Sequence, residues 1–429
     1  MRILLVVHNF LPEWVSGTEA YVWNLAQTFS KEHDVLVITR TKDREYQQYE
    51  TFRTQQGKVQ VAWIANDYQD LVSFEMFYKN AVIDRIFLRI LEEFQPDIIH
   101  FHHLLNLSLG CIDIGKTLGI PMVMTLHDYW YMCPRIQRIR PQELQVCPEI
   151  NEQTCAQCIS NWTHGLDRIH WQNYRVSSLL LSQQVQDIQK RNQYIRQQLS
   201  KLDKLICPSN FLLQEYHHFG IPREKLIFLE YGIAVPSELV RQKKTIYHPI
   251  HFGYIATLIP TKGVHVLLEA FSRLPEGSAE LHLYGPDCGY EYHASYDKEI
   301  RAYAEKRKDI FFHGEYHPSE LPQVFGNIDV LIVPSIWYEN SPLVIQEALA
   351  IGVPVIGSRV GGIPEKIREG ENGFLFEPGN VQELVHHLEY FLNKSVQLGV
   401  VSQQAKPIEE HTKELAKLYR ELAICESYI

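Results

Sequence analysis

At 429 residues the chain is too long for one ordinary core, and at roughly 150 residues per domain it predicts two large domains or three small ones, two being the starting expectation. Hydrophobic residues at 45% and charged residues at 21% are ordinary for a soluble globular protein and favour neither disorder nor a membrane class. A formal charge of -10 argues against a nucleic-acid partner, which would demand a basic stripe, and leaves room for a local anion site.

The opening Arg2-Ile3-Leu4-Leu5-Val6-Val7 is too short for a signal sequence and reads as a buried first strand. Further strands are expected over Val35 to Thr39, Val59 to Ala65, Asp97 to His102, Met122 to Leu126 and Leu205 to Pro208. Their apolar runs are continuous instead of alternating, which fits strands buried on both faces of a parallel sheet. Between Asp167 and Lys201 the chain lacks Gly and Pro and predicts a long helix. The polar Arg241-Gln242-Lys243-Lys244 is the best linker. A second strand series follows: His251 to Ala256, Glu280 to Tyr284, Ile310 to His313, Asp329 to Val333, Val353 to Gly357 and Gly373 to Phe376. A polar stretch from Asn393 to Ala405 precedes a last helix, Pro407 to Leu422, free to pack on either domain. The fold class is therefore α/β, with an N-terminal domain over 1–240, a C-terminal domain over 245–395 and a terminal helix over 406–429.

No run approaches the ~18 apolar residues of a spanning helix, so the expectation is a soluble or peripherally attached protein. Eight cysteines do not form the dense framework of a small secreted domain, which predicts a reducing, cytoplasmic address. Cys133, Cys147, Cys155 and Cys158 cluster in an insertion at about 130–165, and the last two have a two-residue gap common among zinc ligands. One structural zinc is the expectation there, against unligated thiols or a redox pair, although the gaps fit no standard module.

The most informative segment runs Val333-Pro334-Ser335-Ile336-Trp337-Tyr338-Glu339-Asn340-Ser341-Pro342-Leu343-Val344-Ile345-Gln346-Glu347 and on to Gly352-Val353-Pro354. It joins a strand, a loop, a helix and another strand, with Ser341 suited to the N-cap, Pro342 to the first helical position and Gly352 to the stop. The helix start then faces the carboxyl end of a strand, where open α/β sheets bind ligands and where helical N–H groups suit a diphosphate. Glu339, just before it, would repel phosphate unless it met neutral donors such as sugar hydroxyls. Glu347 could reach a second hydroxyl pair, as on a ribose. Taken alone, the two acids read first as a cap-region carboxylate and a solvated helix residue.

This segment resembles the signature of retaining glycosyltransferases with the GT-B fold, the family that includes bacterial mannosyltransferases and sucrose synthases, whose mark is two Glu separated by seven residues. Gly361-Gly362-Ile363-Pro364-Glu365, Gly370-Glu371-Asn372-Gly373-Phe374-Leu375, Tyr254 through Gly263, and Phe10-Leu11-Pro12 through Gly17-Thr18-Glu19 stand in family order. The resemblance implies two Rossmann-like doubly wound domains facing across a cleft, the N-terminal one on the acceptor side. It implies that Glu347 binds the nucleotide ribose, Glu339 the transferred sugar and Lys262 the diphosphate, with Asn340, Ser341, Pro342 and Leu343 offering backbone N–H groups. Gly17, in the loop after the first strand, would let backbone approach the phosphates. His127, ending a strand within Leu126-His127-Asp128-Tyr129-Trp130, would contact the sugar. His102 and His103 read equally as acceptor contacts and as sheet caps.

One departure matters: similar enzymes often have Arg where this chain has Thr257, five residues before Lys262. No Asp-x-Asp pair occurs, so a metal clasp for the diphosphate has no candidate and no cofactor is expected for catalysis. The implied activity is metal-independent, hexosyl-type transfer from a nucleotide-diphosphate sugar, of UDP or GDP type, to a hydroxyl. The expected acceptor is a glycan, a lipid-linked or a small molecule, in polysaccharide or glycoconjugate synthesis at the cytoplasmic side, with peripheral membrane association open. The main rival is a catalytically inactive family member serving as a binding or assembly subunit, which Thr257 favours and the retained Glu339, Glu347, Lys262 and His127 oppose. Aromatics from Tyr129 to Trp171 read as core or as an acceptor surface.

Overall fold

The computed structural model describes residues 1–13, 16–67, 70, 73–140, 144–160, 181–234, 249–287, 294–317, 320–393 and 405–426. The expected linker 241–244, residues 167–180 of the expected long helix, and Trp162 and Trp171 lie outside them. The chain divides into two compact units: Met1–Gln137, Pro148–Gly232 and Lys406–Ile429 form unit 1, and Arg138–Cys147 with Ile233–Ala405 form unit 2.

The first part of the chain contributes β1 (Arg2–Val6), α1 (Gly17–Phe29), β2 (Asp34–Thr41), β3 (Thr51–Gln56), β4 (Val59–Ala65), α2 (Ala81–Phe94), β5 (Ile98–Phe101), α3 (Gly110–Thr117) and β6 (Met122–Thr125). After the hairpin β7 (Ile139–Arg140) and β8 (Gln145–Val146) come α4 (Glu152–Ser160), α5 (Leu181–Lys201), β9 (Lys204–Cys207), α6 (Asn210–His218) and β10 (Leu226–Phe228). Among the described residues the sheet of unit 1 has the order β10-β9-β6-β5-β1-β2-β4-β3. It is parallel except for the edge strand β3, antiparallel to β4. β1 lies between β2 and β5, and Ile3, Leu4, Leu5 and Val6 are at most 1% exposed, which is why this strand shows no polar alternation. α2 is started by Asn80, whose side chain accepts from the Val82 and Ile83 N–H groups.

Unit 2 continues with β11 (Ile250–Ile255), α7 (Val264–Ser272), β12 (Ala279–Tyr284), α8 (Ala294–Ala304), β13 (Ile310–Gly314), α9 (Leu321–Gly326), β14 (Val330–Val333), α10 (Leu343–Ala350), β15 (Val355–Ser358), β16 (Gly373–Phe376) and α11 (Val381–Asn393). Its described strands form a parallel sheet of order β13-β12-β11-β14-β15-β16, the doubly wound pattern that reverses direction between β11 and β14.

One feature departs from the expected domain limits, and one that the sequence left open is fixed. The hairpin β7–β8 lies in the insertion of the N-terminal half, yet it groups with unit 2 because Ile139, 6% exposed, packs among Ile250, Phe252 and other core residues of that unit. The last helix, α12 (Ile408–Glu426), belongs to unit 1. There Tyr419 Oη meets His100 Nδ1 at 2.6 Å and His411 Nε2 meets Tyr21 Oη at 2.6 Å. Among the described residues no helix is long and apolar enough to cross a membrane.

Candidate functional site

The loops after β11 and β14 meet at the point where the strand order of unit 2 reverses. The Ile336 N–H donates to the Thr261 carbonyl at 2.9 Å, tying the two loops together. Gly263 has φ +72 and lies so close against the Pro334 carbonyl that any Cβ would clash with it. Thr261 and Lys262 close a short 3-10 turn just before α7.

Across this junction Lys262 Nζ stands 2.7 Å from Glu339 Oε1. The same oxygen accepts from Ser335 Oγ at 2.7 Å and from Trp337 Nε1 at 2.8 Å. Lys262 Nζ also lies over the Trp337 ring, 5.0 Å from its centroid. Glu339 is 5% exposed, and three donors on one oxygen satisfy a carboxylate that would otherwise be costly to bury. Its backbone is held as tightly: the Gly362 N–H donates to the Glu339 carbonyl at 2.7 Å, and Gly361, at φ +60, leaves no room for a Cβ beside that peptide. The two residues expected to grip sugar and diphosphate are thus brought together and paired with each other.

α10 begins one residue later than expected. Pro342, at φ -60 and ψ 118, is its N-cap, and Ser341 is not; the Ser341 hydroxyl instead accepts from Gln346 Nε2 at 3.1 Å. Pro342 has no N–H, so of the four expected backbone donors it cannot serve; Asn340, Ser341 and Leu343 can. In the first turn of α10 the Ile345 N–H donates to the Pro342 carbonyl at 3.2 Å, while Leu343 and Val344 open the helix, where N–H groups suit an anion. Glu347, further along α10, is half-buried, and burial pushes its carboxyl up to about 7. Tyr316 is raised by burial and by the nearby Glu347 carboxylate. Gly352, at φ +84, ends the helix as expected. Thr257 sits in the loop after β11, where its carbonyl accepts from Tyr254 Oη at 3.0 Å and from the Ile259 N–H at 2.9 Å. It brings no charge.

In unit 1 the histidines gather at the carboxyl ends of β1, β5 and β6. His127 Nδ1 meets Tyr231 Oη at 2.6 Å and His127 Nε2 meets His102 Nδ1 at 3.1 Å. Burial lowers His127 to about 3, so the ring is neutral, and a sugar hydroxyl would have to displace one of these partners. His103 Nδ1 accepts from the Leu105 N–H at 3.0 Å, which leaves Nε2–H to donate to Asp128 Oδ2 at 3.0 Å. Gly17 is the exposed first residue of α1 and not a loop residue.

Sequence reasoning passed over Glu19, Ser335, Trp337 and Arg138. Glu19 is 2% exposed on α1, accepts from Asn9 Nδ2 at 3.3 Å and from Ser16 Oγ, and has its carboxyl raised by burial. Ser335 and Trp337 were visible as donors flanking an acid in one loop. Arg138 was not: it is 3% exposed in the hairpin segment, with its guanidinium 5.0 Å from the ring centroid of Tyr338, next to Glu339.

Among the described residues, no three of the four expected zinc ligands have their sulfur atoms within 4.8 Å of one another. Cys155 and Cys158 lie on α4, Cys133 donates its N–H to the Tyr129 carbonyl in unit 1, and Cys147 belongs to the hairpin segment of unit 2. Among the described residues, the group of three His, Cys, Asp or Glu side chains with ligand atoms within 4.8 Å of one another is His251, Glu280 and His282, with no cysteine in it.

Residues 237–413 match the family described as Glycosyl transferases group 1, and residues 15–161 match Glycosyltransferase Family 4. The sulfoquinovosyl transferase SQD2 of Arabidopsis thaliana is 25% identical over 335 residues, 74% of this chain and 54% of that protein. The D-inositol 3-phosphate glycosyltransferase of Corynebacterium glutamicum is 33% identical over 175 residues, 38% of this chain and 42% of that protein. The chain spans about half the length of the curated relatives it matches. Among solved structures, Anabaena Alr3699/HepE in complex with UDP and glucose aligns with a TM-score of 0.64 at 16% identity, covering 97% of this chain and 99% of that one. By its two family matches and its fold, the chain belongs to the group 1, family-4 type of glycosyltransferases with the GT-B fold.

Proposed function

We propose that the protein is a retaining glycosyltransferase that moves a sugar from a nucleotide-diphosphate donor, of UDP or GDP type, to an acceptor hydroxyl. The observation that carries this reading is the Lys262–Glu339 pair at the strand-order reversal of unit 2, beside the start of α10. A diphosphate arriving there meets the Lys262 ammonium and the N–H groups of Asn340, Ser341 and Leu343. Once Lys262 turns to phosphate, Glu339 keeps Ser335 and Trp337 and has accepting capacity for sugar hydroxyls. Glu347 accepts the ribose hydroxyls. His127, in unit 1, is the proposed sugar contact, with Gly17 near the phosphates and Thr257 lining the donor loop.

In the reaction the bond from the anomeric carbon to the diphosphate breaks and one to the acceptor oxygen forms on the same face. The acceptor proton passes to the departing phosphate oxygen. Lys262 and the backbone dipoles stabilise the charge that develops there, in place of a metal. The acceptor is a glycan, a lipid-linked or a small molecule in polysaccharide or glycoconjugate synthesis, and the address is the cytoplasm, with the inner face of the membrane as a working surface. A structural zinc on Cys133, Cys147, Cys155 and Cys158 belongs to this proposal as a state in which the thiols close on the ion; zinc lost on Cys155→Ser, measured by elemental analysis in reducing buffer, is its test.

The rival reading, an inactive binding subunit, is favoured by the neutral Thr257. Incubating the protein with UDP- and GDP-sugars and following nucleotide release, with and without chelator, separates the two. Release with an anomerically retained product supports the proposal. Tight nucleotide binding without release for any sugar supports the subunit.

A further inference from the structure

Away from the donor loops, at the opposite end of the same sheet, three ligand-type side chains share one face. His251 is the second residue of β11 and pairs in register with Glu280 of β12, while Gly253 pairs with His282. The three side chains therefore project on the same side, and at Gly253, which pairs with His282, the Ile328 side chain packs where a Cβ would be. Glu280 Oε2 stands 3.5 Å from His251 Nε2 and 3.2 Å from His282 Nε2. Two atoms each about 2.1 Å from a tetrahedral ion lie roughly 3.4 Å apart, so these separations are those of ligands around one small cation.

Hydrogen bonding fixes which atoms are available. His251 Nδ1 faces the Asn327 carbonyl at 3.1 Å and must donate to it, so the lone pair of the neutral ring sits on Nε2, aimed at the Glu280 carboxylate. A lone pair facing a carboxylate calls for a positive charge there, which a proton or a metal ion supplies. His282, 8% exposed, has its other nitrogen, Nδ1, 2.9 Å from His313 Nε2 on β13. In the metal-bound form Nδ1–H donates to His313 and fixes the ring with Nε2 toward the ion, the usual outer support of a metal-binding histidine.

We propose that His251, Glu280 and His282 form a site for a divalent transition-metal ion, with zinc the best fit to two imidazoles and one carboxylate, and with a fourth position open to water. The site pins β11 to β12 at their amino-terminal ends, and its contribution is to the stability of unit 2. His251 and Glu280 side chains are 35% and 32% exposed, so the ion can enter from solvent.

The test uses the full chain carrying Cys155→Ser, which removes the separate thiol site proposed above, stripped of metal and kept reduced. Zinc is titrated in competition with a chromophoric chelator, and cobalt is added separately for its visible spectrum. One zinc per chain is expected. His251→Gln and Glu280→Gln should each weaken binding more than a hundredfold, and His313→Ala by about 10- to 100-fold through the lost support of His282. The two rim substitutions are at part-exposed positions, and circular dichroism checks that they fold. Cobalt should give visible ligand-field bands without thiolate charge transfer. The proposal is overturned if no zinc binds to this chain, if binding survives both rim substitutions unchanged, or if its cobalt spectrum shows thiolate bands.

Discussion

A lysine and a glutamate 2.7 Å apart and largely shielded from water contribute little net stability, because desolvation offsets most of their attraction. What the pair does provide is two charges held in place before a ligand arrives. Since Thr257 supplies no cation, losing Lys262 should cost on the order of 3 kcal/mol in the barrier, about a hundredfold in turnover. Lys262→Ala with folding confirmed, assayed at saturating donor, checks this; near-normal turnover would place the phosphates elsewhere. Glu347 gives a pH signature. Its carboxyl, at about 7 in the fold, lies above the unfolded value of roughly 4.3, so the folded chain binds that proton more tightly. The stability this proton confers is full below about 4.3 and is lost as pH rises toward and through about 7. Ribose hydroxyls donate best to the ionised form, so nucleotide affinity should move the other way. It should rise about tenfold per pH unit below 7 and level off above. Calorimetric titration with UDP and GDP across that range reads it, and Glu347→Gln should flatten the profile.

At the scale of elements, the strands that surround both sites were legible because continuous apolar runs can only be buried on two faces, as Leu4 and Leu5 of β1 and Val355 and Ile356 of β15 are. β3 was not legible: apart from Phe52 its Thr51–Gln56 residues are polar and mostly exposed, and only pairing with β4 makes them a strand. The Glu339–Glu347 spacing located the candidate site, but the sequence could not reveal that Lys262 and Glu339 pair, since that follows from two loops meeting through Thr261 and Ile336. Nor could a two-residue strand announce that β7 is anchored in unit 2. That anchoring predicts that Ile139→Ala destabilises the protein by about 2–4 kcal/mol despite its place in an insertion, measurable by denaturant unfolding. The seat of α12 was open in the sequence and is fixed by polar contacts at its two turns. His100, lowered to about 3 by burial, is a neutral ring bonded to Tyr419 Oη and Thr125 Oγ1. Tyr419→Phe leaves its Nδ1 buried without that partner and should cost about 1–3 kcal/mol, whereas the exposed Lys417→Ala should stay within about 0.5 kcal/mol.

At the scale of the whole molecule, each unit has its own sheet and its own core, and the donor residues Lys262, Glu339 and Glu347 all belong to unit 2. A donor nucleotide is then a ligand of the native state, and its effect on unfolding follows from mass action. At a hundred times its dissociation constant it should add about 2.7 kcal/mol, which for a unit of this size is roughly 5–10 °C in Tm. The nucleotide that does this names the base, which no side chain in the sequence specifies. The same measurement separates the two metal questions. If the diphosphate is held by Lys262 and backbone N–H groups, chelator should leave the nucleotide-induced shift unchanged. Chelator should nevertheless lower the starting Tm, because zinc at His251, Glu280 and His282 would be removed in both arms. A shift that disappears with chelator and returns with magnesium would mean that a cation bridges the diphosphate. The electrostatic account built on Lys262 would then fail, while the histidine site, tested by its own variants, would stand or fall separately.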